Sequence, residues 1–262
     1  MPRLDHLGLF VPDGPAAASA LRAMGFTLTP IAHQTTTDQA TGAAIPAGTA
    51  NLCVMFQKGY LELLFATGDT EAGRTVAAEA AERAGLHLLS LTTENAEAFD
   101  ANRRAEGWEI RPLARFARDV ETESAPITAR FTLARPGKGI FPEGRVQVMT
   151  HHSPEALWQS RWLTHPNGAT ALKALLVATP MPEAAARRLA RFAGTEAILE
   201  GTRWHVPFTR GHVEFWPLSE ASALLNAPIE SAHFFGLRLT APEKRHVPFP
   251  PALGQGVMIF EP

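Results

Sequence analysis

Residues 3–11 read RLDHLGLFV and residues 59–65 read GYLELLF. Both runs have the length and the apolar, branched composition of buried strands. Each is interrupted by a side chain that binds protons or metals, His6 in the first and Glu62 in the second. Pro12, Asp13 and Gly14 break the first run, and an alanine-rich helix is expected from about Pro15 to Met24, ended by Gly25. The stretch FTLTPIAH follows as a strand, then apolar strands at about residues 50–57 and 59–66, separated by the Lys58-Gly59 turn. The order is βαβββ.

The same order recurs further along. GLHLLSLTTENAEAFDANRRAEGW aligns beneath RLDHLGLFVPDGPAAASALRAMGF, with Gly107 under Gly25 and Trp108 under Phe26. A helix over about residues 95–106 and the strands WEIRPLARF, ITARFTLAR and GRVQVMTHH complete a second unit near residue 152. A third begins at TALKALLVATPMPEAAARRLARFAG, where Pro180 matches Pro12. Its last strand, RGHVEFWP, lies on KGYLELLF with Gly211 on Gly59 and Glu214 on Glu62. SAHFFGLRLTA and GVMIFEP, joined by a proline-rich loop, form a truncated fourth copy without its helix.

The chain is therefore expected to be α+β, with repeated βαβββ modules paired into curved, mostly antiparallel sheets. Residues 1–152 form two modules that bear the site, 153–168 a linker, and 169–262 the third module and the truncated fourth. In the linker, Ser153 reads as an N-cap with Pro154 at the first helical position, and Trp158 and Trp162 share a face that packs. His165, in HPNG, is expected to hydrogen-bond the backbone of a turn.

With one helix per four-stranded sheet, each module leaves a face to be covered by a partner module or curved around a ligand. Strand alternation puts Leu7, Leu9 and Val11 beneath the helix and turns His6, Gly8 and Phe10 to the concave side, with open volume beside Gly8.

Composition narrows the partners. The 24 basic and 26 acidic residues nearly cancel, to a formal charge of -2, and no basic block argues for nucleic acid. No apolar run approaches the roughly 18 residues that span a bilayer, so a cytoplasmic protein without a membrane partner is expected, compatible with a homodimer. Cys53 is the one cysteine, and its apolar setting reads as a packed side chain. The chain has no G-x-S-x-G elbow, H-E-x-x-H, Walker loop or G-x-G-x-x-G motif. Lys138 in PGKGIF is a loop cation.

LDHLGLFVPD, GYLELLF and the pattern His151, Ser153, Pro154, Glu155, Trp158, HPNGA resemble glyoxalase-like proteins of the vicinal oxygen chelate superfamily, which also includes bleomycin-resistance proteins and extradiol dioxygenases. The resemblance implies metal ligands on the first and fourth strands of a module, hence His6 and Glu62. It departs elsewhere: the counterparts of His6 are Leu88 and Ala174, which cannot ligate, and that of Glu62 in the second copy is Gln147. His151, four residues on and on the same face, or His152, replaces the missing histidine in this reading. The expected metal set is His6, Glu62, Gln147 and His151, with Glu62 also catalytic and Glu214 structural.

An imidazole and a carboxylate suit a divalent ion, iron, manganese, nickel or zinc, which would polarise two neighbouring oxygens of a small substrate. Phe10 and Trp216 would line the cup. Lyase or isomerase chemistry and dioxygenase chemistry share this framework. The alternative is a metal-free protein that binds or sequesters a small molecule, with a histidine near His6 and Glu62 as the discriminating feature.

Overall fold

The first strand begins where the apolar alternation begins, and the chain leaves it through a capped helix. The computed structural model describes residues 1–37, 41–122 and 125–262. β1 (Arg3–Phe10) leads to Asp13, whose carboxylate accepts the Ala16 N–H and opens α1 (Gly14–Ala23). β2 (Ala32–Thr37), β3 (Ala44–Met55) and β4 (Tyr60–Ala66) complete the module. β2 starts later than the sequence suggests, because Pro30 in FTLTPIAH has no N–H to give to a ladder. The chain then forms α2 (Glu71–Glu82), capped by Thr70, an element the periodicity did not announce.

The second module is β5 (Gly85–Thr92), α3 (Ala96–Ala105), β6 (Ala114–Val120), β7 (Ile127–Ala134) and β8 (Arg145–His151). Pro112 delays β6 as Pro30 delays β2, leaving Ile110 an isolated bridge to Pro136. Residues 153–163 carry two 3-10 turns, Pro154–Ala156 and Ser160–Trp162, in place of one helix, since Gln159 between them is extended. The remainder is β9 (Ala171–Thr179), α4 (Pro182–Ala193), β10 (Ile198–Glu200), β11 (Arg203–Pro207), β12 (His212–Pro217), α5 (Leu218–Leu225), β13 (His233–Thr240), β14 (Arg245–Pro248) and β15 (Val257–Glu261). Where a fourth module would have its helix, only residues 241–244 join β13 to β14, and a 3-10 turn, Pro251–Leu253, lies between β14 and β15.

Two curved, mostly antiparallel sheets result. One runs β2-β3-β4-β1-β5-β8-β7-β6, joining two modules through the antiparallel β1–β5 pair, and the other runs β10-β11-β12-β9-β13-β15-β14 through β9–β13. The matched glycines do the same work in each: Gly59 and Gly211 have φ of 81° and 72°, and a Cβ there would lie 2.8 Å from Asp5 O and from Leu4 Cβ, respectively.

The backs of both sheets share one core. Leu7, Leu9, Leu61 and Leu63 of the first sheet belong to the same cluster as Leu175, Val177, Phe215 and Leu237 of the second, with α1 and α4 contributing Leu21 and Leu189. Phe192 is fully buried, and the rings of Phe99, Trp108 and Phe141 meet it edge-on at 5.4, 5.2 and 5.4 Å. It thereby ties α4 to α3 and to the loop before β8. Among the described residues, no helix is long and apolar enough to cross a membrane. Phe192→Ala is expected to cost about 3–5 kcal/mol of stability, read as a lower urea midpoint in equilibrium unfolding.

Candidate functional site

The front of the first sheet is closed at both ends and polar in the middle. At one end Phe10 and Leu88 pack with Val76 and Ala80 of α2. At the other, Trp158 and Leu157 lie over Cys53, Met55 and Tyr60, and the Trp158 indole donates to Phe56 O at 3.1 Å. Trp158 and Trp162 are thus packing residues. His165 holds a turn as expected, donating from Nε2 to Met55 O and accepting the Thr27 N–H at Nδ1.

Between these closures stand His6, Asn51, Glu62, Ser90 and Gln147. Gly8 pairs with Glu62 on one side and Leu88 on the other, while His6 pairs with Ser90 and Ser90 with Gln147. The open volume expected beside Gly8 is taken by Leu88, whose Cβ would lie 2.8 Å from a Cβ added at Gly8. Phe10 lies beneath α2, and Trp216 belongs to the front of the other sheet, so neither lines one common cup.

Asp5 organises the site, and strand alternation alone hides it. The β1–β5 register slips between Leu4 and His6, so Asp5 is an extra residue in β1 and its side chain joins that of His6. Its carboxylate, 1% exposed, lies 2.8 Å from His6 Nδ1 and 3.0 Å from His151 Nε2. Burial alone would raise the Asp5 pKa, but hydrogen bonds from His151 and His6 outweigh it and hold the carboxyl well below the usual range. An ionised carboxylate only accepts, so the proton of neutral His6 sits on Nδ1. That leaves the Nε2 lone pair for the cup.

The free His6 Nε2 lies 3.9 Å from Glu62 Oε2, and the His6 ring stacks on Tyr60 at 4.3 Å. Asn51 donates from Nδ2 to the other oxygen of Glu62. Each member of the pair therefore has its outer atom braced and its inner atom facing the partner. Gln147 donates to Ser90 Oγ at 3.2 Å, which leaves its carbonyl oxygen unbonded among the described residues.

His151 does not complete a ligand set. Its Nε2 is committed to Asp5, and its Nδ1 is buried without a partner, with the rings of Phe131 and Trp158 edge-on to it. His152 turns to the opposite side and meets Thr132 Oγ1 at 2.9 Å. The structure brings His6 and Glu62 together, keeps Gln147 in the adjacent row, and places His151 behind His6 through a shared carboxylate. Asp5, Asn51 and Ser90 were not anticipated, although an asparagine in the apolar run NLCVMF was a signal.

A model of the glyoxalase-like domain matches residues 4–193. The chain belongs to the glyoxalase-like family. A hypothetical protein from Staphylococcus aureus has a similar structure, at 11% identity with all of both chains covered and a TM-score of 0.75. A mutant 4-hydroxymandelate synthase from Streptomyces coelicolor is similar at 15% identity over 93% of this chain and 72% of that one, with a TM-score of 0.54. At such identities the likeness is one of fold, which agrees with the vicinal oxygen chelate membership that the glyoxalase-like domain match gives. No curated protein sequence gives a significant match.

Asp5→Ala leaves two buried imidazole donors unpaired and is expected to cost about 3–5 kcal/mol. Glu62→Gln, at a partly exposed carboxylate whose amide replacement still accepts from Asn51, should cost less than about 1 kcal/mol. Urea unfolding at neutral pH compares the two. The Asp5 contribution is complete above the ordinary carboxyl value of 3.8 and is lost as pH falls below it. Wild type and Asp5→Ala should therefore converge in stability in that acid range.

Proposed function

We propose that the front of the first sheet is a small-molecule active site in which His6 and Glu62 hold a divalent metal ion. The observation that carries this reading is the facing pair, His6 Nε2 and Glu62 Oε2, each braced from behind by Asp5 and Asn51. Their 3.9 Å separation is less than twice a metal–ligand bond of about 2.1 Å, so one ion can reach both. A carboxylate on the far nitrogen of a ligating imidazole is the usual support of such sites. The Gln147 carbonyl is the third, weaker donor.

When bound, the ion would act as a Lewis acid on the oxygens of a small oxygenated substrate. The residues of the chain do the rest. Asp5 fixes the tautomer and plane of His6, and Asn51 directs Oε2 of Glu62 inward. Glu62 is the carboxylate placed to accept a proton from the substrate, as lyase or isomerase chemistry requires. Packing at both ends of the cup limits water. A dioxygenase reaction would use the same binding residues.

One observation favours a second reading, a metal-free binding protein. His151, which would supply a further strong ligand, is held by Asp5, so among the described residues the cup offers two such donors. His6 and Glu62 would then hydrogen-bond the ligand directly.

Elemental mass spectrometry on protein prepared without chelator or affinity-tag metal decides between them. Near-stoichiometric iron, manganese, nickel or zinc is expected in wild type, absent from folded His6→Ala and Glu62→Ala, with affinity lowered about 10- to 100-fold in Asn51→Ala. A wild type that carries no metal and takes up none on titration contradicts the metal reading and leaves the binding protein.

A further inference from the structure

The second sheet has a cup of its own, on the face opposite the shared core. Glu214 occupies there the place that Glu62 occupies in the first sheet, with His205 opposite it on β11 and His212 two residues before it. These three bring ligand atoms within 4.8 Å of one another, as a metal site would. The carboxylate, however, is already saturated. Its Oε1 accepts from His212 and Arg238, and its Oε2 from Trp216 and Arg238. A guanidinium stands in the position of the cation, and it comes from the residue that pairs with Ala174, the counterpart of His6.

Arg238 has a further role. Glu214 and Glu261 pair with its guanidinium, and the same side chain lines a cavity of about 460 Å³. Arg203, Lys244 and His246 line it as well, against one carboxylate, Glu220. Arg203 bonds that carboxylate through Nε while its guanidinium lies flat on Trp216, 3.3 Å from the ring centre, so the fork is fixed in place. Exposed Lys244 has no hydrogen-bond or ion-pair partner among the described residues. Ala223, Leu224 and Ile259 give the cavity an apolar side. Arg203 and Lys244, with Arg238 already paired to Glu214 and Glu261, turn cationic groups toward a cavity that has Glu220 as its lining carboxylate and an apolar wall beside them, an arrangement that suits an anion better than a metal.

We propose that this second cup binds a small organic anion, a carboxylate or a phosphate monoester with an apolar body. The charged group is taken by Arg238, Arg203 and Lys244, and the body lies against Leu224 and Ile259. The cavity has the size of an ordinary small-ligand site, about 300–1,000 Å³. The site is separate from the His6–Glu62 pair and does not depend on metal there.

Isothermal titration of the full chain with benzoate, phenyl phosphate and neutral benzyl alcohol tests this. At least one anion is expected to bind once per chain. Affinity should fall about tenfold or more in Lys244→Glu, fall similarly in about 0.5 M salt, and stay unchanged in His6→Ala. Arg203→Gln, which removes the stacked fork, should also weaken it. Preference for benzoate or for phenyl phosphate identifies the charged group. The proposal is overturned if neither anion binds up to about 10 mM, if benzyl alcohol binds as well as the anions, if folded Lys244→Glu binds like wild type, or if His6→Ala abolishes binding.

Discussion

The buried carboxylate of Asp5, shared by two imidazoles, is the interaction on which the first cup depends. A charge so far from water persists only when its oxygens are satisfied, and here His6 and His151 satisfy them. The same contacts decide what each histidine can do. His6 is left with one free nitrogen aimed at Glu62, and His151 is withdrawn from the cup. The extra residue in β1 that makes this possible is gripped from the second half of the chain: Leu4 N–H donates to Arg210 O, the Arg210 guanidinium donates to Leu4 O, and its tip comes within 3.9 Å of Asp5. The common core behind the two sheets is therefore also what positions the site.

The two front faces start from one framework and neutralise their fourth-strand carboxylates differently. Glu62 is supported by a neutral amide, so its charge remains available to a cation or a proton. Glu214 is supported by Arg238 and His212, so its charge is spent inside the protein. The exchange follows from single positions. Where β1 has His6, β9 has Ala174, too small to ligate and small enough to leave room for the arginine paired with it.

Much of this was legible in the residues. Helix-ending Gly25 and the turns at Gly59 and Gly211 punctuate the chain strongly because their positive φ admits little else, so the module order and the His6–Glu62 pairing could be read directly. Glu214 could be read as structural, since it lacked a first-strand partner. Asp5 was not legible, because a one-residue slip in register reverses the face that alternation assigns, and nothing in LDHLGLF marks the slip. The role of His151 failed with it: its face was right, but its partner was the hidden carboxylate. α2 escaped notice because only Gly73, Val76 and Ala80 of its twelve residues are buried, too few to give a clear helical stripe. Yet that helix closes one end of the cup.

The most direct test of this account is the tautomer of His6. Long-range ¹H–¹⁵N correlation spectra of chelator-treated, ¹⁵N-histidine-labelled protein at neutral pH, with the His6 signals assigned from His6→Gln, report which ring nitrogen carries the proton. A protonated Nδ1 and a bare Nε2 are expected. A His6 ring protonated on Nε2, or exchanging freely between tautomers, would contradict this, because Asp5 would then not be holding the ring and no lone pair would face Glu62.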